Sequence, residues 1–176
     1  IRLIGKPGKL ILFQSHFNGL IKSLRKYKIY NKKLEKVVRH LINLNINKNF
    51  NYDHLLRVAL TKKDISISIR KRLKPKKNFE LKIINYKRID PLTKNLYYKK
   101  ILKELNKYDP SKIDIALINK GKILETCTSN ILFFKDNEYF SPKNDCYIGN
   151  TIKYLKGKIK ISFKDIYYKD LKQFEE

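Results

Sequence analysis

The stretch that decides the fold covers residues 114–153 and reads DIALINKGKILETCTSNILFFKDNEYFSPKNDCYIGNTIK. Short apolar runs alternate in it with turn residues, a pattern that predicts pairs of short strands. Two polar segments interrupt these strands: the first polar segment is residues 125–130 and the second is residues 149–151. An acid, small hydroxyls and a Gly-Asn-Thr turn are groups that hold a charged ring and its phosphate.

Strands also dominate the sequence around this stretch. Residues 79–84 are predicted to form a strand, and residues 96–105 a short helix that ends before Pro110. Within and beside the deciding stretch we predict strands at residues 113–118, 122–124, 131–134 and 138–140. Residues 165–176 are predicted to form a closing helix or turn.

The first part of the chain predicts a small layer of helices and strands. Residues 1–12 read as strand, turn and strand, and a helix follows with Ser15 as its N-cap. A second helix is predicted over residues 31–44, and a hairpin over residues 53–61 and 65–72. The charge run of residues 70–77 contains a proline and is typical of a solvated linker. We therefore predict an α+β chain with a domain at residues 1–73, a linker at 74–78 and a β-rich domain at 79–176.

Composition restricts the class of protein. The net charge of +25 raises the hypothesis of a basic nucleic-acid-binding protein. Only 7 of the 41 basic residues are arginine, the lysines are spread over every segment, and no regular array of exposed aromatics is evident, so this hypothesis is disfavoured. The apolar runs are too short to cross a bilayer, which favours a cytoplasmic protein without membrane contact. We also expect that the chain lacks its terminal segments.

Several kinds of site have no support in the sequence. The three histidines, His16, His40 and His54, show no metal-ligand spacing, so no metal is expected. Cys127 and Cys146 are expected to be free thiols. No glycine-rich loop for nucleotide phosphates occurs. For the first polar segment alone, hydroxyl and amide side chains that bond their own backbone in a wide turn are the favoured explanation.

The two polar segments together resemble the class IV, or fold-type IV, pyridoxal-phosphate enzymes. The family pattern is a strand, a glycine, a strand, a glutamate, small residues, an asparagine and a further strand, then Thr-Pro and Gly-Ile-Thr-Arg. This chain matches it, in order, at Gly121, Glu125, residues 129–131, residues 141–142 and residues 149–151. Near the start, residues 16–23 resemble the family's His-x-x-Arg-Leu helix, but Gly19 stands where the family has its phosphate-binding arginine. Ile152 and Lys153 replace the later arginine.

The resemblance implies a site and a cofactor, pyridoxal 5'-phosphate. It implies Lys94 as the catalytic lysine that binds the cofactor, with Lys87 and Lys99 as competing candidates, and Glu125 as the acid at the pyridine nitrogen. Cofactor binding is further implied for Asn130, Gly149, Asn150 and Thr151. Lys22, Arg25 or Lys153 would then compensate for the missing arginine as point charges. The implied fold is a small N-terminal α/β layer with a larger mixed β pseudobarrel.

The resemblance also implies an activity. Thr126 follows Glu125 where branched-chain transaminases of the family usually have glycine, so the chain resembles aminodeoxychorismate lyase more closely. That enzyme releases pyruvate and 4-aminobenzoate in folate synthesis. A class IV amino-acid aminotransferase, for branched-chain or D-amino acids, is the alternative. A remnant that binds no cofactor stays open because of Gly19. A small anionic substrate and a homodimer are implied as partners.

Overall fold

The computed structural model describes residues 1–175, so Glu176, the end of the predicted C-terminal domain and closing turn, lies outside the described residues. The chain divides into two compact units, Ile1–Leu73 and Lys74–Glu176. Each unit contains both helices and strands, so the predicted mixed architecture is confirmed. Within residues 1–175, no helix combines the length and the apolar composition that a bilayer crossing requires.

The first unit is an antiparallel sheet with two helices. Its strands lie in the order β2-β1-β3-β4, and β3 pairs with β4 as the predicted hairpin. The bounds are β1 Arg2–Gly5, β2 Lys9–Leu10, α1 Phe13–Lys26, α2 Lys32–Leu44, β3 Tyr52–Leu60 and β4 Ile65–Lys71.

Apolar side chains at helical and strand spacing form the core of this unit. Alternating isoleucines on β4 pack against it, since successive strand residues point to opposite faces. The buried core residues are Phe17, Ile21, Leu24, Val38, Ile42 and Leu56. Each fully buried side chain of this kind contributes about 1.5–3 kcal/mol of transfer free energy.

The two helix starts of this unit differ. Asn31 caps the predicted helix α2, because its side-chain oxygen accepts the Leu34 N–H at 2.6 Å. The predicted N-cap Ser15 is wrong: α1 begins at Phe13 after Leu12, which has a left-handed backbone (φ 52°) and no capping side chain. The chain therefore enters α1 through a left-handed turn at Leu12, whereas the sequence predicted a capping hydroxyl at Ser15.

The second unit contains two open mixed sheets. One has the strand order β11-β7-β6-β5 and the other β10-β9-β8. The pairs β5/β6 and β9/β10 are parallel and the others antiparallel. The bounds are β5 Glu80–Asn85, α3 Lys99–Leu105, β6 Ile113–Asn119, β7 Lys122–Thr126, β8 Phe133–Lys135, β9 Glu138–Pro142, α4 Asn150–Lys156, β10 Ile161–Lys164, β11 Ile166–Tyr167 and a 3₁₀ helix at Tyr168–Gln173. Over the described range the predicted pseudobarrel is not a closed barrel.

Element bounds in this unit differ from the prediction at the two places that matter for a site. Strand β7 continues to Thr126, so Glu125 lies inside a strand and not after it. Helix α3 begins at Lys99 and not at residue 96, because Asn95 accepts the Tyr97 N–H in a side-chain turn. A short helix, α4, follows Gly149 where the sequence predicted only a turn.

Candidate active site

Glu125 is a buried acid in the middle of a sheet. It lies on β7 opposite Leu117 of β6, and its side chain is 6% exposed. Arg88 donates to both carboxylate oxygens, from Nε to Oε1 and from Nη2 to Oε2, each at 2.8 Å. The Tyr147 N–H donates to Oε2 at 3.3 Å. The carboxylate is thus held from two sides by groups that favour its charged form.

The environment of Glu125 has opposing effects on its acidity. Burial raises the pKa of Glu125 above its ordinary value. The Arg88 guanidinium, the Tyr147 N–H and the Lys94 ammonium each act to lower that pKa. Without these three groups, a carboxylate in this position would lose more of its negative charge at neutral pH.

Lys94 lies in the loop between β5 and α3, and hydrogen bonds shape this loop. The buried Thr93 donates from its hydroxyl to the Asp90 carboxylate at 2.6 Å. Asn95 donates to the backbone oxygens of Ile89 and Asp90 at 3.0 and 3.1 Å. These contacts on both sides of Lys94 fix where its side chain leaves the backbone.

The Lys94 amine is close to the acid. Its Nζ lies 4.6 Å from the centre of the Tyr147 ring, a cation–π distance. Burial lowers the pKa of Lys94, Arg88 lowers it further, and Glu125 acts in the opposite direction. Lys94 is exposed as a residue, but the protein around its amine lowers the pKa by desolvation.

Tyr147 therefore brings Lys94 and Glu125 to one place. Its ring contacts the amine, and its N–H contacts the carboxylate. The competing lysines lie elsewhere: Lys87 pairs with Asp145 at 2.8 Å, and Lys99 is exposed at the start of α3. Of the three candidate lysines, Lys94 is the one whose amine contacts the Tyr147 ring and interacts electrostatically with Glu125.

Asn130 joins the first polar segment to the second. Its side-chain nitrogen donates to the Tyr147 carbonyl at 2.6 Å, and its oxygen accepts the Gly149 N–H at 2.9 Å. Gly149 is the N-cap of α4, Asn150 is buried and Thr151 is exposed in the first turn. The Gly149 N–H, one of the groups implied for phosphate, is thus already bonded to Asn130.

The hydroxyls of the first polar segment serve a buried acid. Asp114 is 5% exposed and accepts from the hydroxyls of Thr126, at 2.6 Å, and Thr128. The Thr126 hydroxyl oxygen accepts the Ser129 N–H at 2.8 Å. The hydroxyls therefore have a structural role, since they bond groups of their own turn and strand pair. That explanation does not apply to Glu125 or Asn130.

The described residues contain two cysteine thiols as possible alternative nucleophiles. Cys127 and Cys146 are free, and burial together with nearby carboxylates raises the pKa of their thiols to about 12 and about 11. They are protonated at neutral pH and therefore poor nucleophiles. Across residues 1–175, no three His, Cys, Asp or Glu side chains converge as metal ligands would.

Sequence reasoning missed two residues of this cluster, Arg88 and Tyr147. A signal for Arg88 was present: it is the only arginine between residues 74 and 176, in a chain where lysine supplies nearly all positive charge. An arginine kept in such a composition indicates a need for its planar two-point contact. No comparable signal marked Tyr147, since its contacts use backbone atoms and a ring face.

This chain is similar to known proteins in both sequence and fold. Residues 2–176 match the model of the family described as amino-transferase class IV. A candidate 4-amino-4-deoxychorismate lyase from Haemophilus somnus 129PT has 21% identity and a TM-score of 0.65, over 99% of this chain and 90% of that one. The 4-amino-4-deoxychorismate lyase of Pseudomonas aeruginosa has 13% identity and a TM-score of 0.69, over 99% and 75%. The branched-chain amino acid aminotransferase of Escherichia coli has 15% identity and a TM-score of 0.71, over 99% and 69%.

These likenesses agree with the geometry. Glu125, a buried acid, and Lys94, a lysine of lowered pKa, interact electrostatically. The chain belongs to the class IV aminotransferase family, whose members are pyridoxal-phosphate-dependent transaminases and lyases. At these identities the solved structures establish the fold and no specific activity. No protein of curated function matches the chain.

The residues present fit this cofactor on the chemistry of their groups. A pyridine nitrogen that must keep its proton needs a buried anion, and Glu125 is one. The cofactor's aldehyde needs an amine that loses its proton readily, and Lys94 is one.

Proposed function

We propose that this chain is a 4-amino-4-deoxychorismate lyase that releases pyruvate and 4-aminobenzoate, a reaction of folate synthesis. The observation that carries the proposal is the convergence of the Lys94 amine and the Glu125 carboxylate on Tyr147. Pyridoxal phosphate, when bound, supplies an electron sink for a carbanion at the substrate carbon, provided that its ring nitrogen stays protonated.

Each group of the cluster has a role in this proposal. Glu125 holds the proton of the ring nitrogen, because its carboxylate is kept charged by Arg88 and the Tyr147 N–H. Lys94 would hold the cofactor, and its neutral amine would be the base that moves the carbon-bound proton of the substrate. Its lowered pKa serves both tasks, since each requires the neutral amine.

The phosphate is proposed to lie at the start of α4. Asn150 and Thr151 form the first turn of that helix, and Asn130 holds Gly149 in place before it. Lys153 is exposed on the same short helix and supplies positive charge where the family has arginine. As a point charge it binds less specifically than a guanidinium.

The choice of a lyase rests on Thr126. Its hydroxyl donates to the buried Asp114, so this side chain has a contact that the glycine usual in branched-chain transaminases would not make. A class IV amino-acid aminotransferase is the second candidate, favoured by the likeness to the Escherichia coli branched-chain enzyme. By family analogy we also propose a small anionic substrate, a homodimer and a cytoplasmic location.

The test is purification with pyridoxal phosphate, followed by two assays. Mixing with 4-amino-4-deoxychorismate should release 4-aminobenzoate, whereas transfer from glutamate to a branched keto acid should be slow or absent. The reverse outcome would replace the lyase by the aminotransferase. A protein that stays colourless with the cofactor would instead be the remnant that binds none.

Borohydride reduction and peptide mass spectrometry would name the lysine. The label is expected on Lys94, and Lys94→Ala should remove both label and turnover. Lys87→Ala and Lys99→Ala are the matched controls, since each removes a competing lysine of the same region. Full activity of Lys94→Ala would refute the assignment.

A further inference from the structure

The Glu125 carboxylate has nearly all its acceptor positions filled by this chain. A carboxylate offers about four lone-pair positions. Arg88 uses one on each oxygen, and the Tyr147 N–H uses a second on Oε2. The guanidinium lies so close that its Nη2 is also 2.7 Å from Oε1. Arg88 therefore contacts both carboxylate oxygens at once and fixes the plane of the group.

Arginine is the side chain suited to this task. Lysine supplies 34 of the 41 basic residues of the chain, yet the contact to Glu125 is made by the only arginine of the second unit. Its planar group reaches both oxygens at once and is 14% exposed, whereas an ammonium reaches a carboxylate as a point. Orientation of the carboxylate is what the arginine adds.

We propose that Arg88 is a positioning residue that fixes the plane of the Glu125 carboxylate toward the cofactor's ring N–H, while its charge acts on both Glu125 and the Lys94 amine. This inference rests on the proposed function, because it assigns Glu125 to the ring nitrogen. It goes further in naming the residue that orients the carboxylate.

One cation thus shifts both reacting groups in the direction that the chemistry needs. Arg88 lowers the pKa of Glu125 and also that of Lys94. The charged and titratable groups that act on Lys94 are Arg88 and Glu125, with the Tyr147 phenol ring against the amine. Glu125 meets Arg88 and Lys94, and it lies near the thiols Cys127 and Cys146, which are uncharged at neutral pH.

The first experiment measures the Lys94 amine without cofactor. The rate at which an amine-reactive reagent labels Lys94 is followed against pH by peptide mass spectrometry in wild type and Arg88→Gln. Loss of the guanidinium should raise the pKa of Lys94 and slow its labelling near neutral pH, by roughly tenfold for each pKa unit. Lys122→Gln is the matched control. Lys122 lies on the same strand as Glu125, and its amine forms an exposed ion pair with Asp165.

The second experiment separates charge from orientation. Arg88→Lys keeps the charge, so Lys94 should label almost as in wild type. Its two-point contact is lost, so kcat with bound cofactor should fall roughly 10–100-fold, as for other residues that orient a reactive group, with KM little changed. Full kcat in Arg88→Lys, or labelling of Lys94 in Arg88→Gln that equals the Lys122→Gln control, would overturn the proposal.

Folding of the variants is covered by a third comparison. If Arg88→Gln does not fold, because Glu125 is left buried and unpaired, Glu125→Gln is compared with Arg88→Gln/Glu125→Gln. Lys94 should label more slowly near neutral pH in the double variant, and equal rates would contradict the proposal. Wild type that carries the cofactor on Lys94 but releases no 4-aminobenzoate would refute the lyase while leaving the role of Arg88 intact.

Discussion

The core of the first unit and the acid–amine cluster of the second are built in different ways. Apolar side chains at regular spacing fill the first, and any residue of similar volume and polarity satisfies that pattern. The second joins residues that are far apart in sequence, Arg88, Lys94, Glu125 and Tyr147, through particular atoms. A core of the first kind sets stability, whereas a cluster of the second kind sets chemistry and depends on each member.

The largest loss of stability is expected from Leu56→Ala in the first unit. Leu56 is 1% exposed between the helices and the sheet, so the free energy of unfolding should fall by roughly 2–5 kcal/mol. Urea unfolding followed by circular dichroism measures it, with the exposed Leu44→Ala as control. The pH dependence of Lys94 labelling should not change, and a changed profile would break the contrast between the two regions.

Gly149→Ala tests the contact between the polar segments. An added Cβ would lie 2.8 Å from the Asn130 side-chain oxygen, which must then give up the Gly149 N–H or move away from Tyr147. The free energy of unfolding should fall by about 1–3 kcal/mol, and cofactor affinity should fall with it.

Gly157→Ala is the control for that variant. Gly157 has a helical backbone, and its added Cβ meets the Tyr154 oxygen at 3.4 Å, an ordinary contact. It should be neutral or stabilising by up to about 1 kcal/mol. Equal effects of the two glycine variants would argue against a specific role of Asn130.

Asn31→Ala tests a local contact of the first unit. It removes the side-chain acceptor of the Leu34 N–H and should cost about 1 kcal/mol of unfolding free energy. Asn31→Ser keeps an acceptor and should restore most of that loss. The activity of the enzyme with bound cofactor should be unchanged in both variants. A loss of activity without a loss of stability would contradict the separation between the core of the first unit, which sets stability, and the cluster of the second, which sets chemistry.

Lys94→Met should have the smallest effect on stability, and its sign depends on pH. The pKa of Lys94 is lowered in the folded chain, so its positive charge costs stability in full below the folded pKa, and this cost disappears as pH rises through the unfolded pKa. The methionine variant should therefore be slightly more stable than wild type near neutral pH, with the difference vanishing above the ordinary lysine pKa. Thermal unfolding across a pH series measures this, and a difference that grows with pH would have the wrong sign.

Regular spacing explains what could be predicted from the sequence. Helix α2, the hairpin of β3 and β4, and strands β5 and β6 lie within a residue or two of their predicted bounds. In each, one face is apolar and the period is clear. The start of α1 and the helix α4 were missed, because backbone turns at Leu12 and Gly149 decide them and no side-chain period marks such turns.

The candidate site divides in the same way. Glu125 and Lys94 followed from a family pattern, and the structure brings them together, although their roles stay predictions. Arg88 and Tyr147 were not predicted, because a partner thirty-seven residues away in sequence is chosen by strand pairing and loop course. Patterns among neighbouring residues carry no information about contacts between residues so far apart in sequence.

One amide side chain, Asn130, holds both Tyr147 and Gly149. The hairpin of β8 and β9 lies between Asn130 and Tyr147 in the sequence. Its tip is formed by Asp136 and Asn137, both of which have positive φ. One amide side chain therefore closes the base of the hairpin, while β9 continues the sheet by pairing with β10. A peptide inserted at the exposed tip residue Asn137 would lie at the far end of the hairpin from this closure.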